Sequence, residues 1–179
     1  MLFLRHPKPA VDPGICYGQT DLDIGEEGRI QIARALELTP PVARIIASPA
    51  LRCRELALAL ARRHDAELRF DERLWEMHMG DWEGLPWSRI PQEHSEPWLQ
   101  DPFNLPTPGG ESFRHVQHRV LTAIKELGIS DDTALVCHAG PIRAVQMAWH
   151  GLSFREAFAV TPAYAEPIEL RPPIGAITR

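Results

Sequence analysis

The sequence predicts an α/β fold, a three-layer sandwich in which helices flank a mainly parallel sheet. Short apolar runs of strand length alternate with longer segments of helical periodicity, which is typical of repeated β-α-β units. Two of these runs are followed by a histidine, His6 and His138, at the position where open α/β sheets bind ligands. A length of 179 residues suits one such core, so we expect a single domain over residues 1–179.

The first strand is predicted at residues 1–4, an apolar run that ends in Arg5 and His6. Arginine offers a planar fork to phosphate oxygens, and a neutral histidine is a nucleophile. Because residues 7–14 are rich in proline and glycine, the chain must leave this strand as a loop. A helix is then expected over residues 26–40, where acidic residues occupy the first turn.

A second β-α unit is predicted next, with a strand over residues 43–47 and a helix over residues 49–64. Ser48 is the expected N-cap of this helix. Arg52 and Arg54 fall in its first turn, where a cation opposes the helix dipole unless an anion binds there too. Either the two arginines bind an anion, or they are exposed and point away from the fold.

Residues 68–70 predict a short edge strand, and residues from about 71 to 112 are expected to form a cap over the site. The beginning of this segment fits neither helical nor strand periodicity, yet it concentrates tryptophan, methionine and carboxylate residues. Such a composition indicates a functional loop. Its tryptophans either stack on a substrate base or form the core of the cap.

The last third of the chain predicts a helix over residues 113–128, a buried strand over residues 133–137 and a helix over residues 140–150. The strand delivers His138 at its end, as the first strand delivers His6. Residues 158–160 and 165–170 are expected to supply a last hairpin or an edge pairing.

Composition argues against several classes of function. The net charge is −5 and no block of lysine and arginine occurs, which argues against a nucleic-acid or membrane-surface binder. No apolar run is long enough to cross a bilayer, and the first residues lack the features of a signal peptide. We therefore expect a cytoplasmic protein whose three scattered cysteines are reduced thiols. The oligomeric state stays open, a dimer included.

Five motifs follow one another along the chain in the order known from one family. They are similar to Leu-x-Arg-His-Gly-x-Thr, Ser-Pro-x-x-Arg-x-x-x-Thr-Ala, Glu-x-x-x-Gly-x-x-Glu-Gly, Pro-Gly-Gly-Glu-Ser and His-x-Gly-x-Ile-Arg, and they begin at residues 3, 48, 76, 108 and 138. The chain resembles the histidine phosphatase superfamily, and within it the phosphoglycerate-mutase-like group. The resemblance implies the three-layer fold predicted above and hydrolysis of a small phosphorylated metabolite.

The resemblance also implies a role for each matched residue. The expected catalytic residues are His6, the nucleophile that forms a phosphohistidine, Glu76, the general acid and base, and His138. The expected phosphate ligands are Arg5, Arg52 and Ala139, and His138 lies with them around the phosphoryl oxygens. The expected substrate contacts are Gln19, Thr20 and Glu83, and Glu83 is also the rival for the role of acid. No metal or other cofactor is implied, because arginines take the place of a cation.

The opening of the chain departs from the general pattern of the family. Pro7 replaces the usual glycine and has no backbone N–H, and Pro9 and Asp12 stand for the usual threonine and asparagine. An opening of the form Arg-His-Pro-x-Pro, followed by Cys-Tyr-Gly, resembles chains assigned as α-ribazole phosphatases of cobalamin assembly. The resemblance makes α-ribazole 5'-phosphate a candidate substrate.

Three other functions remain open from the sequence. Residues 137–143 satisfy Cys-x-x-Gly-x-x-Arg, the phosphate loop of cysteine-dependent phosphatases, in which Cys137 would be the nucleophile. A phosphoglycerate-mutase-like phosphoryl transfer is a second alternative, although the chain has little room for the long insertions of glycolytic mutases. The third is a non-catalytic protein that binds a phosphorylated ligand. His115 and His118 could pair on a metal, but two ligands with no third nearby are more often a solvated helix face.

Overall fold

The computed structural model describes residues 1–128 and 130–173, so the last six residues of the predicted domain, 174–179, lie outside the described residues. Within this range the chain forms one five-stranded sheet with the order β3-β2-β4-β1-β5. Of the four strand pairings, three are parallel, and the fourth joins the edge strand β5 antiparallel to β1. The strands are β1 (Leu2–Arg5), β2 (Arg44–Ala47), β3 (Glu67–Phe70), β4 (Thr133–Cys137) and β5 (Pro167–Glu169).

Helices pack on both faces of the sheet, which confirms the predicted three-layer α/β fold. Neighbouring strand residues point to opposite faces, so Phe3 joins one apolar cluster and Leu4 joins the other. The first cluster includes the buried faces of α4 and α5, and the second includes those of α1 and α2. The helices are α1 (Glu26–Leu38), α2 (Leu51–His64), α3 (Gln92–Gln100), α4 (Phe113–Glu126), α5 (Ala139–His150) and α6 (Phe154–Ala159). No helix in these two described ranges is both long and apolar enough to cross a membrane.

The pairing of β1 with β4 brings the two predicted histidines together. Arg5 lies opposite Cys137 in the parallel register, and the amide of His6 donates to the carbonyl of Cys137 at 2.8 Å. The next residues, His6 and His138, therefore leave the sheet side by side, and their ring centroids are 5.1 Å apart. This confirms the prediction that both lie at the carboxyl ends of adjacent strands.

Two local predictions were wrong. Ser48 is not an N-cap, because α2 begins only after Ala50 and has no side-chain cap, while the Ser48 hydroxyl contacts His138 instead. Residues 158–160 do not pair with the sheet. Ser153 and Glu156 form a capping box that starts α6 just before them, and the sheet edge is taken by β5.

Residues 71–112 contain three single turns of 3₁₀-helix, at Glu72–Leu74, Gly80–Trp82 and Trp87–Arg89, followed by α3. The second turn packs directly on the loop before α4. The carbonyl of Pro108 lies where a Cβ on Gly80 would come within 2.0 Å, and Gly80 has a positive φ of 57°. Only glycine suits this close approach. The role of this segment as a cap stays a prediction.

Candidate active site

His6 is a buried side chain whose hydrogen bond defines its tautomer. Its Nδ1 lies 2.7 Å from the carbonyl oxygen of Pro7, and a carbonyl can only accept, so Nδ1 carries the proton. Nε2 therefore presents a lone pair. Burial, and then the positive charge of Arg52, lower the pKa of His6 well below the usual value. The side chain is a neutral nucleophile at neutral pH.

Two arginines surround this histidine. Arg52 is fully buried, and its guanidinium donates to the carbonyls of Gly18 and Thr20 at 2.7 and 2.8 Å. Arg5 donates to the carbonyl of Pro162 at 3.1 Å, while its buried Nε has no hydrogen-bond partner within the described ranges. The charges of both guanidiniums lower the pKa of His6, which places positive charge around the reacting nitrogen.

His138 is fully buried, and both of its ring nitrogens contact protein groups. The Nε of Arg52 donates to its Nδ1 at 3.3 Å, so the proton is on Nε2, which lies 2.8 Å from the Ser48 hydroxyl. Burial and the charge of Arg52 lower the pKa of His138 well below the usual value, so this ring too is neutral. A direct bond from His138 to phosphate would require the ring to exchange one of these partners.

Glu76 lies at the N-terminus of α5. Its two carboxylate oxygens accept from the amide of Gly140 at 3.1 and 3.2 Å, and Oε1 also accepts from the amide of Met77. A Cβ on Gly140 would come within 2.1 Å of Oε1, so only glycine leaves room for the carboxylate. The carboxylate therefore lies at the end of α5 where the backbone amides point outward.

Glu83 has a different environment from Glu76. Its carboxylate accepts from the amides of Gln19, Thr20 and Met79 at 2.8, 2.5 and 3.0 Å and also from the Thr20 hydroxyl. Burial alone raises the pKa of Glu83, but these hydrogen bonds hold it below the usual value. Glu83 therefore holds the loop around residue 19 in place as an ionised group.

The other predicted site residues lie in the loop around residue 19 and at the start of α5. The Gln19 side chain donates to the carbonyl of Glu76 at 3.2 Å, and the Thr20 carbonyl accepts from Arg52. Ala139 is the buried first residue of α5. The Cys137 side chain instead packs into the apolar cluster that contains Phe3, and burial raises the pKa of its thiol well above the usual value. This geometry argues against a thiolate nucleophile.

Three further residues lie near the site, and two of them, Tyr164 and Arg119, were not predicted as functional. Tyr164 covers the guanidinium of Arg5, with Cζ 3.8 Å from the ring centroid, and its ring lies 5.6 Å from that of His6. The ring of Trp75 is nearly parallel to that of His138, with the two centroids 6.1 Å apart. The third, Arg119, lies on α4, and no motif marks it.

Arg119 fixes the backbone that carries Glu76. Its guanidinium donates to the carbonyls of Arg73, Trp75 and Glu76 at 2.7, 2.7 and 2.9 Å. It also forms a two-point ion pair with Glu111 at 2.9 and 3.0 Å. All five N–H donors of this guanidinium are thus directed at the segment around Glu76 or at Glu111.

Potential metal ligands do not cluster in the described part of the chain. In residues 1–128 and 130–173, no three or more His, Cys, Asp and Glu side chains lie close enough together to hold a metal ion. His115 contacts the amide and hydroxyl of Ser112 through its Nδ1, as part of the capping box of α4, and His118 is exposed on the same helix.

Known proteins share this fold and these motifs. The family model described as the histidine phosphatase superfamily (branch 1) matches residues 1–172. The chain belongs to the histidine phosphatase superfamily, and it is a phosphoric monoester hydrolase that acts on small phosphorylated metabolites.

Individual relatives bear the names of two phosphatases. Glucosyl-3-phosphoglycerate phosphatase of Mycolicibacterium vanbaalenii is 31% identical over 171 residues, which cover 85% of this chain and 74% of the relative. Putative phosphoserine phosphatase 2 of Hydrogenobacter thermophilus is 28% identical over 169 residues, covering 89% and 83%. The native structure of the mycobacterial glucosyl-3-phosphoglycerate phosphatase superimposes with a TM-score of 0.82 at 27% identity, covering 93% of this chain and 87% of that one. These names differ from the α-ribazole phosphatase that the opening motif resembles.

Proposed function

We propose that this chain hydrolyses phosphate monoesters through a phosphohistidine on His6, with Glu76 as general acid and then general base. One observation carries the proposal. The bond from Nδ1 of His6 to the Pro7 carbonyl leaves Nε2 unprotonated beside two guanidiniums, as an in-line attack on phosphorus requires.

In the first step, Nε2 of His6 attacks the phosphorus atom and a P–N bond forms. The P–O bond to the organic group breaks, and the proton of the Glu76 carboxyl group passes to the leaving oxygen. Arg5 and Arg52 bind the phosphoryl oxygens, whose charge redistributes in the transition state. The buried Nε of Arg5, which lacks a protein partner in the described part of the chain, supplies one of these donors.

In the second step, a water molecule attacks the phosphorus and gives its proton to the Glu76 carboxylate. The P–N bond breaks, inorganic phosphate leaves, and His6 returns to its neutral form. The amide of Ala139 and the N-terminus of α5 favour an anion at this point. His138 stays neutral and holds Arg52 in position through its Nδ1.

Glu76 is proposed as the acid rather than Glu83 because of their hydrogen bonds. Glu83 accepts four hydrogen bonds, which stabilise its ionised form and oppose protonation. Glu76 instead borders a cavity that can hold the organic half of a substrate. Glu76 accepts from two amides, those of Met77 and Gly140, and from no side chain in the described ranges.

Three compounds are candidates for the specific substrate. The names of the relatives suggest glucosyl-3-phosphoglycerate and phosphoserine, and the opening motif suggests α-ribazole 5'-phosphate. A mutase activity would show as conversion of 3-phosphoglycerate to 2-phosphoglycerate without release of phosphate. The cytoplasmic location, the lack of nucleic-acid and membrane partners and the oligomeric state stay predictions from the sequence.

The nucleophile can be identified by replacing each candidate in turn. His6→Ala should lose at least about a thousandfold in kcat, because the covalent route disappears. Wild-type enzyme quenched in alkali should carry phosphate that acid releases, as expected for a P–N bond, and the His6 variant should carry none.

Two further variants serve as controls in this experiment. His118→Ala replaces an exposed histidine and should keep full activity. Cys137→Ser should keep most of the activity apart from a loss of stability of about 1 kcal/mol from the altered packing. A fully active His6→Ala enzyme, together with an inactive but folded Cys137→Ser enzyme, would assign the attack to the cysteine.

A further inference from the structure

A cavity of about 210 Å³ opens beside the proposed acid. Glu76 and Gly140 form part of its wall, so a group placed in this cavity is adjacent to the carboxylate that protonates the leaving oxygen. The cavity is therefore positioned to hold the organic half of a substrate whose phosphate lies at His6.

Two groups of aromatic side chains border this cavity. One comprises the tryptophans that follow Glu76: Trp98 meets Trp82 edge to face at 5.4 Å and stacks on Trp87 at 6.4 Å. Trp87 and Trp98 line the cavity directly. Trp87 lies in the third 3₁₀ turn and Trp98 lies in α3, and both elements follow Glu76 in the chain.

The other group comprises three phenylalanines from α4 and α6. Phe154 and Phe158 stack at a centroid distance of 4.0 Å, and Phe113 meets them edge to face at 5.3 and 5.1 Å. All three line the cavity. Aromatic rings therefore reach the cavity from two separate parts of the fold, which is the arrangement that holds a planar ring between them.

Two of these rings remain in contact with water. Trp87 is 45% exposed and Phe158 is 37% exposed. Exposed aromatic surface that is grouped around a cavity marks a binding site, because covering it removes apolar area from water. An apolar ring in the cavity would cover this surface.

Few charged groups line the cavity. Among its described lining residues, only Glu76 and Arg143 are charged. Arg143 lies over the ring of Phe158 at 4.3 Å and donates to the Thr161 hydroxyl at 3.0 Å, while its buried Nε has no hydrogen-bond partner within the described ranges. The rest of the lining is mostly apolar and aromatic, so an apolar ring loses less solvation there than a charged group does.

We propose that the organic half of the substrate is an aromatic ring system held between these tryptophans and phenylalanines. This inference rests on the proposed function and deepens it. The cavity is smaller than the roughly 300–1,000 Å³ of a pocket for a drug-sized ligand, so it suits one ring system rather than a larger polar group such as a glycosylated acid. The proposal separates this chain from relatives whose named substrates carry a carboxylate.

The test compares two esters that differ only in the ring. Propyl phosphate and 3-phenylpropyl phosphate have leaving oxygens of similar basicity. The ratio of their kcat/KM values therefore reports the contribution of the ring and not a difference in intrinsic reactivity. We expect the phenyl ester to be preferred by about tenfold or more, mainly through KM, because even one added methylene in an apolar pocket gives roughly tenfold. O-phosphoserine and 3-phosphoglycerate should react more slowly than the phenyl ester, and α-ribazole 5'-phosphate extends the series to an aromatic base.

Variants then locate the preference in the cavity. Trp98→Ala and Phe158→Ala should each reduce the ratio severalfold, because each removes one wall of the ring site. Trp149→Ala is the matched control. Trp149 lies on α5 outside the cavity, where it packs edge to face on Phe3 at a centroid distance of 6.0 Å. Its loss should leave the ratio unchanged. Circular dichroism and thermal unfolding verify that each variant is folded.

One measurement is independent of any variant. On wild-type enzyme, 3-phenylpropan-1-ol should inhibit the hydrolysis of propyl phosphate competitively at concentrations where propan-1-ol has no effect. A ratio near one in an enzyme whose turnover depends on His6, or faster turnover of O-phosphoserine than of the phenyl ester, would overturn the aromatic proposal alone. If no ester in the series were hydrolysed in a way that depends on His6, the proposed function would be overturned as well.

Discussion

The hydrogen bond between His6 and the Pro7 carbonyl determines which nitrogen of the ring can attack. The departure from glycine at position 7 removes an amide donor, yet the carbonyl of Pro7 is still present and fixes the tautomer. Since burial and nearby guanidiniums lower the pKa of His6, the nucleophile stays unprotonated even in mildly acidic solution.

The lowered pKa of His6 has a consequence for stability. Below about pH 6.5 the unfolded chain protonates this histidine and the folded chain does not, so protonation favours unfolding as the pH falls. The contribution to the slope is about 1.4 kcal/mol per pH unit, down to the pKa of the folded state. His6→Asn should therefore show a weaker loss of unfolding free energy between pH 7 and 5 than wild type, as measured by urea denaturation.

An exposed histidine provides the comparison for this measurement. His118→Asn, at an exposed position of α4, should retain the wild-type dependence on pH. Equal slopes for His6→Asn and wild type would mean that His6 is protonated in the folded protein.

The carboxylates Glu76 and Glu83 should differ in how their loss depends on the leaving group. Glu76→Gln should slow the hydrolysis of alkyl phosphates by about a hundredfold or more, and that of nitrophenyl phosphate far less, because nitrophenolate leaves without a proton. Glu83→Gln removes a loop anchor and should affect both esters alike. The reverse pattern, measured from steady-state rates on the two esters, would make Glu83 the acid.

The sequence predicted the residues that lie within local motifs, and it missed those that act across the fold. His6, Glu76 and Arg52 each belong to a short pattern with a chemical reason for its spacing. Arg119 and Tyr164 act on segments far away in the chain, and neither stands in a pattern that distinguishes it from a surface arginine or a core tyrosine. Only tertiary contacts reveal them.

At the scale of elements, α4 holds the segment that carries the acid. Arg119 should therefore affect the proton transfer without touching the substrate. Arg119→Lys keeps the charge but loses the planar fork, and we expect a drop in kcat of roughly tenfold on alkyl phosphates, a smaller drop on nitrophenyl phosphate and little change in KM.

The matched control lies on the same helix. Arg114 is exposed and donates to the Asn104 side chain at 3.0 Å, so Arg114→Lys should leave both rates unchanged. An Arg119→Lys enzyme that loses activity equally on both esters would show a structural role without influence on the acid.

The predicted elements were correct where hydrophobic periodicity extends over several turns or a whole strand, as in α4 and β4. Errors arose where one side chain had two local uses. Ser48 has the right chemistry for an N-cap, but its hydroxyl is used by a histidine that arrives from β4. Residues 158–160 have β propensity, but the capping box at Ser153 decides in favour of a helix.

For the whole molecule, binding of an oxyanion should stabilise the fold, because Arg5 and Arg52 connect β1 and α2 through the site. Phosphate or vanadate at about a hundred times its Kd should add about 2.7 kcal/mol and raise Tm by about 5–10 °C, as measured by thermal unfolding. We expect the same shift in EDTA, since guanidiniums supply the positive charge.

Two variants of α2 determine whether this shift comes from the proposed site. Arg52→Lys should reduce the shift, because a point charge replaces the buried fork. Arg62→Lys, at an exposed position of the same helix, should keep it. An undiminished shift in the Arg52 variant would place the anion elsewhere.

The order of the strands has a consequence for how the protein folds during synthesis. Because β1 lies between β4 and β5, the first strand to leave the ribosome has no neighbour until the last third of the chain emerges. Such long-range pairing slows folding, and the apolar β1 stays open to chaperones or to aggregation in the meantime. His6 cannot meet His138 any earlier, so a nascent chain that still lacks β4 should have no phosphatase activity.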